Sequence, residues 1–317
     1  MKKKRLIVLV LATVSISWRL ITLMSFDNLG YIGFTENEVG IITSISSGSP
    51  ADVAGFMVGD EVLSRDSLEP NKRPRPNQRI RFTIKRNENQ QVILLKTSKY
   101  VATKIMGILG ILTLFIGLFS FYRNQNNLSF IFFLYCFVMS IHWGGYPQLT
   151  SAYSHELISQ FYILISIFLG SIILHFGMIY PKDTPLSVTK YWIIYFPGIV
   201  GVILFSTTLF GLGLNSFFKL IEPILVALFS LAGGIALFRT YFVTPKESRN
   251  LIGINVICWG ILLANLPYIF STILPFMDFG GRFGALFYRI LFIFQPISFA
   301  IGIERFYRFN DLSTNNQ

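Results

Sequence analysis

The segment His155-Glu-Leu-Ile-Ser159 comes nearest to a catalytic pattern in this chain. A zinc hydrolase of the HExxH kind needs histidines at i and i+4, which share a helix face and hold the metal while Glu acts as base. Here the second position is Ser159, so one ligand is missing and zinc catalysis is not expected. His142 and His175 fall on consecutive apolar runs that cross in opposite directions, which separates them and argues against a shared metal or haem. Each reads as a hydrogen-bonded interior side chain. Cys136 and Cys258 also lie inside apolar runs without a CxxC partner, and read as small buried hydrophobes. No P-loop, Ser/His/Asp set or paired carboxylates stand in a soluble segment, so the expectation is no enzyme, no metal and no cofactor.

Charges within or beside apolar runs are functional candidates by default. Lys219 and Glu222, at i and i+3, can pair on one helix face. Asp278, Arg282 and Arg289 cluster around the last outer loop and the start of the final run. Two readings stand: interface anchors, or a polar signal-sensing pocket that faces outward. Gly107 with Gly110, Gly198 with Gly201, and Gly233-Gly234 read as positions of close helix packing.

The elements that must position these residues are set by composition. The chain has 317 residues, 52% hydrophobic and 14% charged. Soluble domains average about 25% charged, so a polytopic membrane protein is indicated. Apolar runs near 6–24, 101–122, 128–145, 157–180, 191–212, 217–240, 251–274 and 284–303 each approach the length that crosses the hydrocarbon core. That makes about eight helices, with a tight hairpin expected between the runs at 191–212 and 217–240. The first run follows MKKKR and lacks an A-x-A-like site. It reads as an uncleaved anchor with Arg19 snorkelling to the far interface, a cleaved signal peptide being the alternative.

Orientation follows from short-loop basic residues. With the N-terminus inside, the inner face holds Lys2, Lys3, Lys4, Arg5, Arg123, Lys182, Lys190, Arg239, Lys246, Arg249, Arg305 and Arg308. The outer short loops hold Lys219 and Arg282. This positive-inside bias puts both termini in the cytoplasm of a cell that carries the protein in its inner membrane. It also accounts for the formal charge of +11 without a nucleic-acid partner. The expected organisation is an anchor over 1–25, an extracytoplasmic domain over 26–98, a seven-helix bundle over 99–305 and a short tail over 306–317.

The hydrophilic block has local logic of its own. In SPADVAG (49–55), Ser49 suits an N-cap, Pro50 the first helical position and Gly55 a left-handed exit. Gly59-Asp60 turns the chain into the strand EVLS. QRIRFTIK alternates Ile80, Phe82 and Ile84 inward with Arg79, Arg81, Thr83 and Lys85 outward, and RNENQ turns it into QVILL as a hairpin.

Four pieces together, YIGF (31–34), GIITSI (40–45), SPADVAG (49–55) and GDEVLS (59–64), resemble a bacterial-type PDZ domain of the kind in HtrA proteases and site-2 proteases. The resemblance implies a small β-rich domain that binds extended peptide or protein C-termini by adding a strand to a sheet edge. It also implies that Tyr31, Ile32, Gly33 and Phe34 form the carboxylate site, their backbone N–H groups making the anion nest, with Ile32 and Phe34 near the first pocket. Members of that family place a helix after the strand that follows GD, forming the groove's second wall. Here the interval RDSLEPNKRPRPN (65–77) holds three prolines, which exclude a helix interior. Either peptides bind with a membrane loop completing the wall, or the domain is a structural contact.

The order of anchor, outward PDZ-like block and seven further spans resembles the input region of ComP-type sensor histidine kinases. There the spans and outer loops receive a peptide pheromone, and a cytoplasmic kinase follows. The residues after the last run, RFYRFNDLSTNNQ, carry no kinase motif. Three functions follow as expectations: a sensor or receptor-like module that signals through a separate cytoplasmic protein, an envelope scaffold that presents substrates to a protease, or a degenerate intramembrane protease. For the last, LPFMDFGG (274–281) is distantly similar to the aspartate motif of site-2 proteases. Membrane lipids are expected partners in every case.

Overall fold

The computed structural model describes residues 2–27, 30–37, 39–66, 74–99, 102–143, 152–182, 184–209, 215–273 and 291–315. Most of them are helical. Helix α1 (Lys2–Asp27) leads into a small β region, and nine further elements follow it. These are the two-residue strand β7 (Ser98–Lys99) and helices α3 (Ala102–Asn124), α4 (Asn127–Trp143), α5 (Ala152–Ile179), α6 (Val188–Leu209), α7 (Asn215–Val243), α8 (Lys246–Leu251), α9 (Ile254–Ile273) and α10 (Phe294–Asn315).

Among the described residues, five helices are long and apolar enough to cross a membrane, over Lys2–Ser25, Ile105–Asn124, Leu157–Ile179, Val188–Thr207 and Ile221–Val243. Shorter apolar helices cover Asn127–His142 and Ile254–Ala264. Such a set is that of a multi-pass membrane protein. Part of the last apolar run, over 284–290, lies outside the described residues, whereas α10 runs on to Asn315.

In α1 the usual arrangement of a soluble helix is inverted. Val8, Ala12, Ser15, Arg19 and Thr22 are buried at successive spacings of four and three, so they form one stripe. Leu6, Leu9, Val10, Leu20 and Met24 are exposed. That stripe packs on α3 and α4. Small and polar residues inside with large apolar ones outside is the pattern expected when the surrounding solvent is lipid.

The bundle centre is aromatic. Phe132 and Tyr135 of α4, Phe176 of α5 and Phe299 of α10 stack around one point, with the Phe176 and Phe299 rings 4.8 Å apart. Tyr180 donates to the Ile252 carbonyl and ties the end of α5 to the turn between α8 and α9. Helix α5 lies between α6 and α7, and α7 packs chiefly on α5 rather than on α6. A Cβ on Gly177 would meet the Gly233 carbonyl oxygen at 2.6 Å, so bare backbone lets these two helices cross closely. The simple α6–α7 hairpin expected from the short connection is therefore not the main contact. Residues 210–214 of that connection lie outside the described residues.

The β region comprises β1 (Gly30–Tyr31), β2 (Phe34–Glu36), β3 (Ile42–Ile45), the short helix α2 (Pro50–Val53), β4 (Glu61–Asp66), β5 (Arg79–Arg86) and β6 (Asn89–Lys96). All pairs are antiparallel: β1 with β7, β2 with β3, and β4–β5–β6 as a three-stranded sheet. A bridge from Ile41 to Glu61 joins the second pair to the third sheet. Ile80, Phe82 and Ile84 are fully buried, and Arg79 and Arg81 are exposed, as the alternation predicts. Phe34, Phe56 and Phe82 close a triangle of rings 5.3–5.9 Å apart over this core.

Candidate functional site

Tyr31, Ile32, Gly33 and Phe34 form the link between β1 and β2. Gly33 sits at φ 101°, and a Cβ there would lie 2.1 Å from the Cβ of Ser49, so glycine is required twice over. Ser49 caps α2 by accepting from the Asp52 N–H, and its hydroxyl donates to the Gly33 carbonyl at 3.3 Å. The N–H groups of Ser46 and Ala51 donate to the carbonyls of Gly33 and Ile32 at 2.8 and 2.9 Å. The carbonyl side of the link is thus pinned to the start of α2. Its N–H side is not: those of Ile32 and Gly33 have no acceptor among the described residues. Two such groups side by side suit an incoming anion.

Strand β2 begins at that point. One edge pairs with β3, with Phe34 opposite Ile45, and the other edge has no strand beside it among the described residues. Phe34 and Ile32 are half-buried and pack against the β core, so they border the link rather than stand free of it. The proline-bearing interval opens with Arg65 and Asp66 at the end of β4 and closes in a turn with Asn77 at φ 62°. Residues 67–73, where the second wall of a groove would stand, lie outside the described residues.

The β core also holds a buried ion pair. Asp60 is 1% exposed and receives Arg86 through both carboxylate oxygens, at 2.7 and 2.6 Å, and the Met57 N–H at 2.8 Å. Burial by itself would raise this carboxyl. The hydrogen bonds from Arg86 and Met57, with the arginine's charge, outweigh burial and hold it below the usual carboxylate range.

A second constellation lies inside the helices, and the sequence did not reveal it. Arg19 does not snorkel to an interface: it is fully buried, and none of its three guanidinium nitrogens has a hydrogen-bond partner among the described residues. The reason is rotational. Arg19 belongs to the same stripe as Val8, Ala12 and Ser15, which faces the bundle, and Gly110 of α3 leaves room for it. A Cβ on Gly110 would approach Arg19 Nε to 3.1 Å. Around it stand polar groups that do have partners. Ser15 and Ser140 share a hydrogen bond of 3.0 Å, His142 Nδ1 lies 2.8 Å from Ser166 Oγ, and the Tyr162 hydroxyl donates to the His142 carbonyl at 2.9 Å. Arg19 is near enough to act electrostatically on His142 and Tyr162.

His175 pairs with the Tyr195 hydroxyl at 2.8 Å, so both described histidines are hydrogen-bonded interior groups. Cys136 and Cys258 are free and buried, as expected for small hydrophobes. Among the described residues no three His, Cys, Asp or Glu side chains gather. The side chains of His155 and Glu156 lie outside the described residues. Of the proposed polar pocket, Glu222 is half-buried on α7. The Lys219 side chain, Asp278, Arg282 and Arg289 lie outside the described residues.

Comparison of the chain with protein-family models, with curated proteins and with solved structures gives no match.

Proposed function

We propose that the protein is a receptor-like module of the inner cell membrane with about eight transmembrane helices. Its β region is a PDZ-like domain that faces away from the cytoplasm and binds the C-terminus of a peptide or protein. In this reading both chain ends are cytoplasmic, and a separate cytoplasmic protein receives the signal. The observation that carries it is the pairing of two features at one place: the N–H groups of Ile32 and Gly33, without an acceptor among the described residues, and the edge of β2 beside them, which no described strand covers. A chain terminus laid along β2 gains backbone hydrogen bonds, while its carboxylate meets the two N–H groups.

The test changes the ligand and leaves the protein intact. Full-length protein in lipid nanodiscs is titrated calorimetrically with apolar C-terminal peptides, each with a free or an amidated end. Amidation is expected to weaken binding at least tenfold, since a charge-assisted bond to each N–H is lost, roughly 1.5–3 kcal/mol apiece at most. Equal affinity for both forms would remove the carboxylate site from the model of function.

A further inference from the structure

A cavity of about 290 Å³ opens between the C-terminal half of α3 and the middle of α10. Arg123, Arg305 and Arg308 line it together with a single acid, Glu304, so three cations face one anion. Glu304 binds two of them, Arg123 at 2.7 Å and Arg308 at 2.7 Å, and among the described residues no ion pair occupies Arg305. Ser120 also lines the cavity. It is 3% exposed, and its Oγ has no hydrogen-bond partner among the described residues. A buried hydroxyl left unsatisfied beside excess guanidinium groups marks a place where an acceptor-rich anion completes the hydrogen bonding.

The surface beside the cavity says what that anion is attached to. Phe119, at the cavity, is 64% exposed, and Phe115 and Leu112 continue its exposed face one and two turns back along α3. Ile301, also at the cavity, is exposed, and Ile297 and Phe294 do the same along α10. Each stripe spans eight residues, about 10 Å of helix rise. The charged cavity and the two apolar stripes meet at Phe119 and Ile301. The contacts also gather basic chain ends at this end of the bundle: Lys4 bonds Asn127 and Arg5 bonds Gln125.

We infer that this is a binding site for an anionic phospholipid. The phosphate sits among Arg305, Arg308 and the Ser120 hydroxyl, and the acyl chains lie over the stripes of α3 and α10. Basic pockets between transmembrane helices take such headgroups because phosphate accepts bidentate guanidinium bonds at a depth where the acyl chains stay in hydrocarbon. Glu304 is then the built-in competitor, which holds part of the cationic charge when no lipid is bound. The leaflet rests on the topology proposed above, but the binding does not. A failed lipid assay and a failed topology are therefore separate results.

The experiment is native mass spectrometry of the full-length protein released from nanodiscs that contain phosphatidylglycerol and phosphatidylcholine. One phosphatidylglycerol is expected to stay bound in preference to phosphatidylcholine. Arg305→Gln, which leaves both Glu304 ion pairs in place, should cut its retention about fivefold, as for one cation near a headgroup. Glu304→Gln frees two arginines and should raise retention, an outcome that misfolding cannot imitate. Equal retention of both lipids, indifference to Arg305→Gln, or weaker retention in Glu304→Gln would overturn the site. Displacement of the lipid by millimolar inorganic phosphate would overturn the lipid assignment in favour of a free anion.

Discussion

Asp60 in the β region and Arg19 in the helical bundle are both shut away from solvent, at 1% and 0% exposure, and the two regions treat them in opposite ways. Around Asp60 every need is met: Arg86 supplies two bonds, Met57 a third, and the pair locks the turn after α2 to the end of β5. Around Arg19 the serines, the histidine and the tyrosine bond to one another and leave the guanidinium out. A buried charge with a complete set of partners is explained by folding. A buried charge without them costs several kcal/mol and points to something folding does not account for. The contrast separates a structural ion pair from a functional candidate without any appeal to relatives.

The largest expected effect tests the structural half. Asp60→Ala strands Arg86 in a partly buried site and should destabilise the β region by about 3 kcal/mol, read as faster hydrogen exchange across residues 80–84. The same pair has a pH signature. Because the folded carboxyl is held below its ordinary range, its contribution is present above an unfolded value of about 4 and is lost as pH falls through the lowered folded value. Acid melts of the β region should lose part of their steepness in Asp60→Asn. The next effect has the reverse sign. Arg19→Met fills the same stripe with an apolar side chain and should raise the bundle's stability by roughly 2 kcal/mol in detergent unfolding. A loss of similar size would show that Arg19 has a counter-charge and is, like Asp60, a structural ion-pair partner. The smallest effect is a control. Glu88→Gln removes the exposed pair with Lys85, 2.8 Å apart, and should leave the unfolding midpoint where it was.

Much of this was legible in the sequence wherever the signal is local. The N-cap at Ser49, the inward run of Ile80, Phe82 and Ile84, and the turn at Asn87-Glu88, where both residues adopt positive φ, follow from neighbours a few residues apart. Hydropathy likewise located the five helices that, among the described residues, are long and apolar enough to cross a membrane. It could not say which way a helix turns. In α1 large apolar residues such as Leu6, Leu9, Val10 and Leu20 are exposed, so the position of Arg19 on the inward stripe is decided by α3 and α4. Gly110, Ser140 and His142 are more than ninety residues away from it. The cavity among Ser120, Glu304 and Arg305 has the same origin: two segments far apart in the chain meet only in space. The geometry of the link from Tyr31 to Phe34 fell between these cases. The motif indicated the backbone, but the pinning of Gly33 by Ser49 is visible only in three dimensions.

One consequence of the β1–β7 pair concerns the order in which the molecule assembles. Gly30 lies opposite Lys99 and Tyr31 opposite Ser98, so the strands bring together the chain just after α1 and the chain just before α3. During synthesis α1 is made before the helices that surround Arg19, and the charge has no berth until Gly110 and Ser140 exist. The β region is made in between. Once folded, it holds the chain that follows α1 beside the chain that precedes α3, which shortens the loop left to close between them. Folding of the domain outside the bundle therefore helps seat a charge inside it, and damage to the β1–β7 pair should be felt first as a loosening of α1.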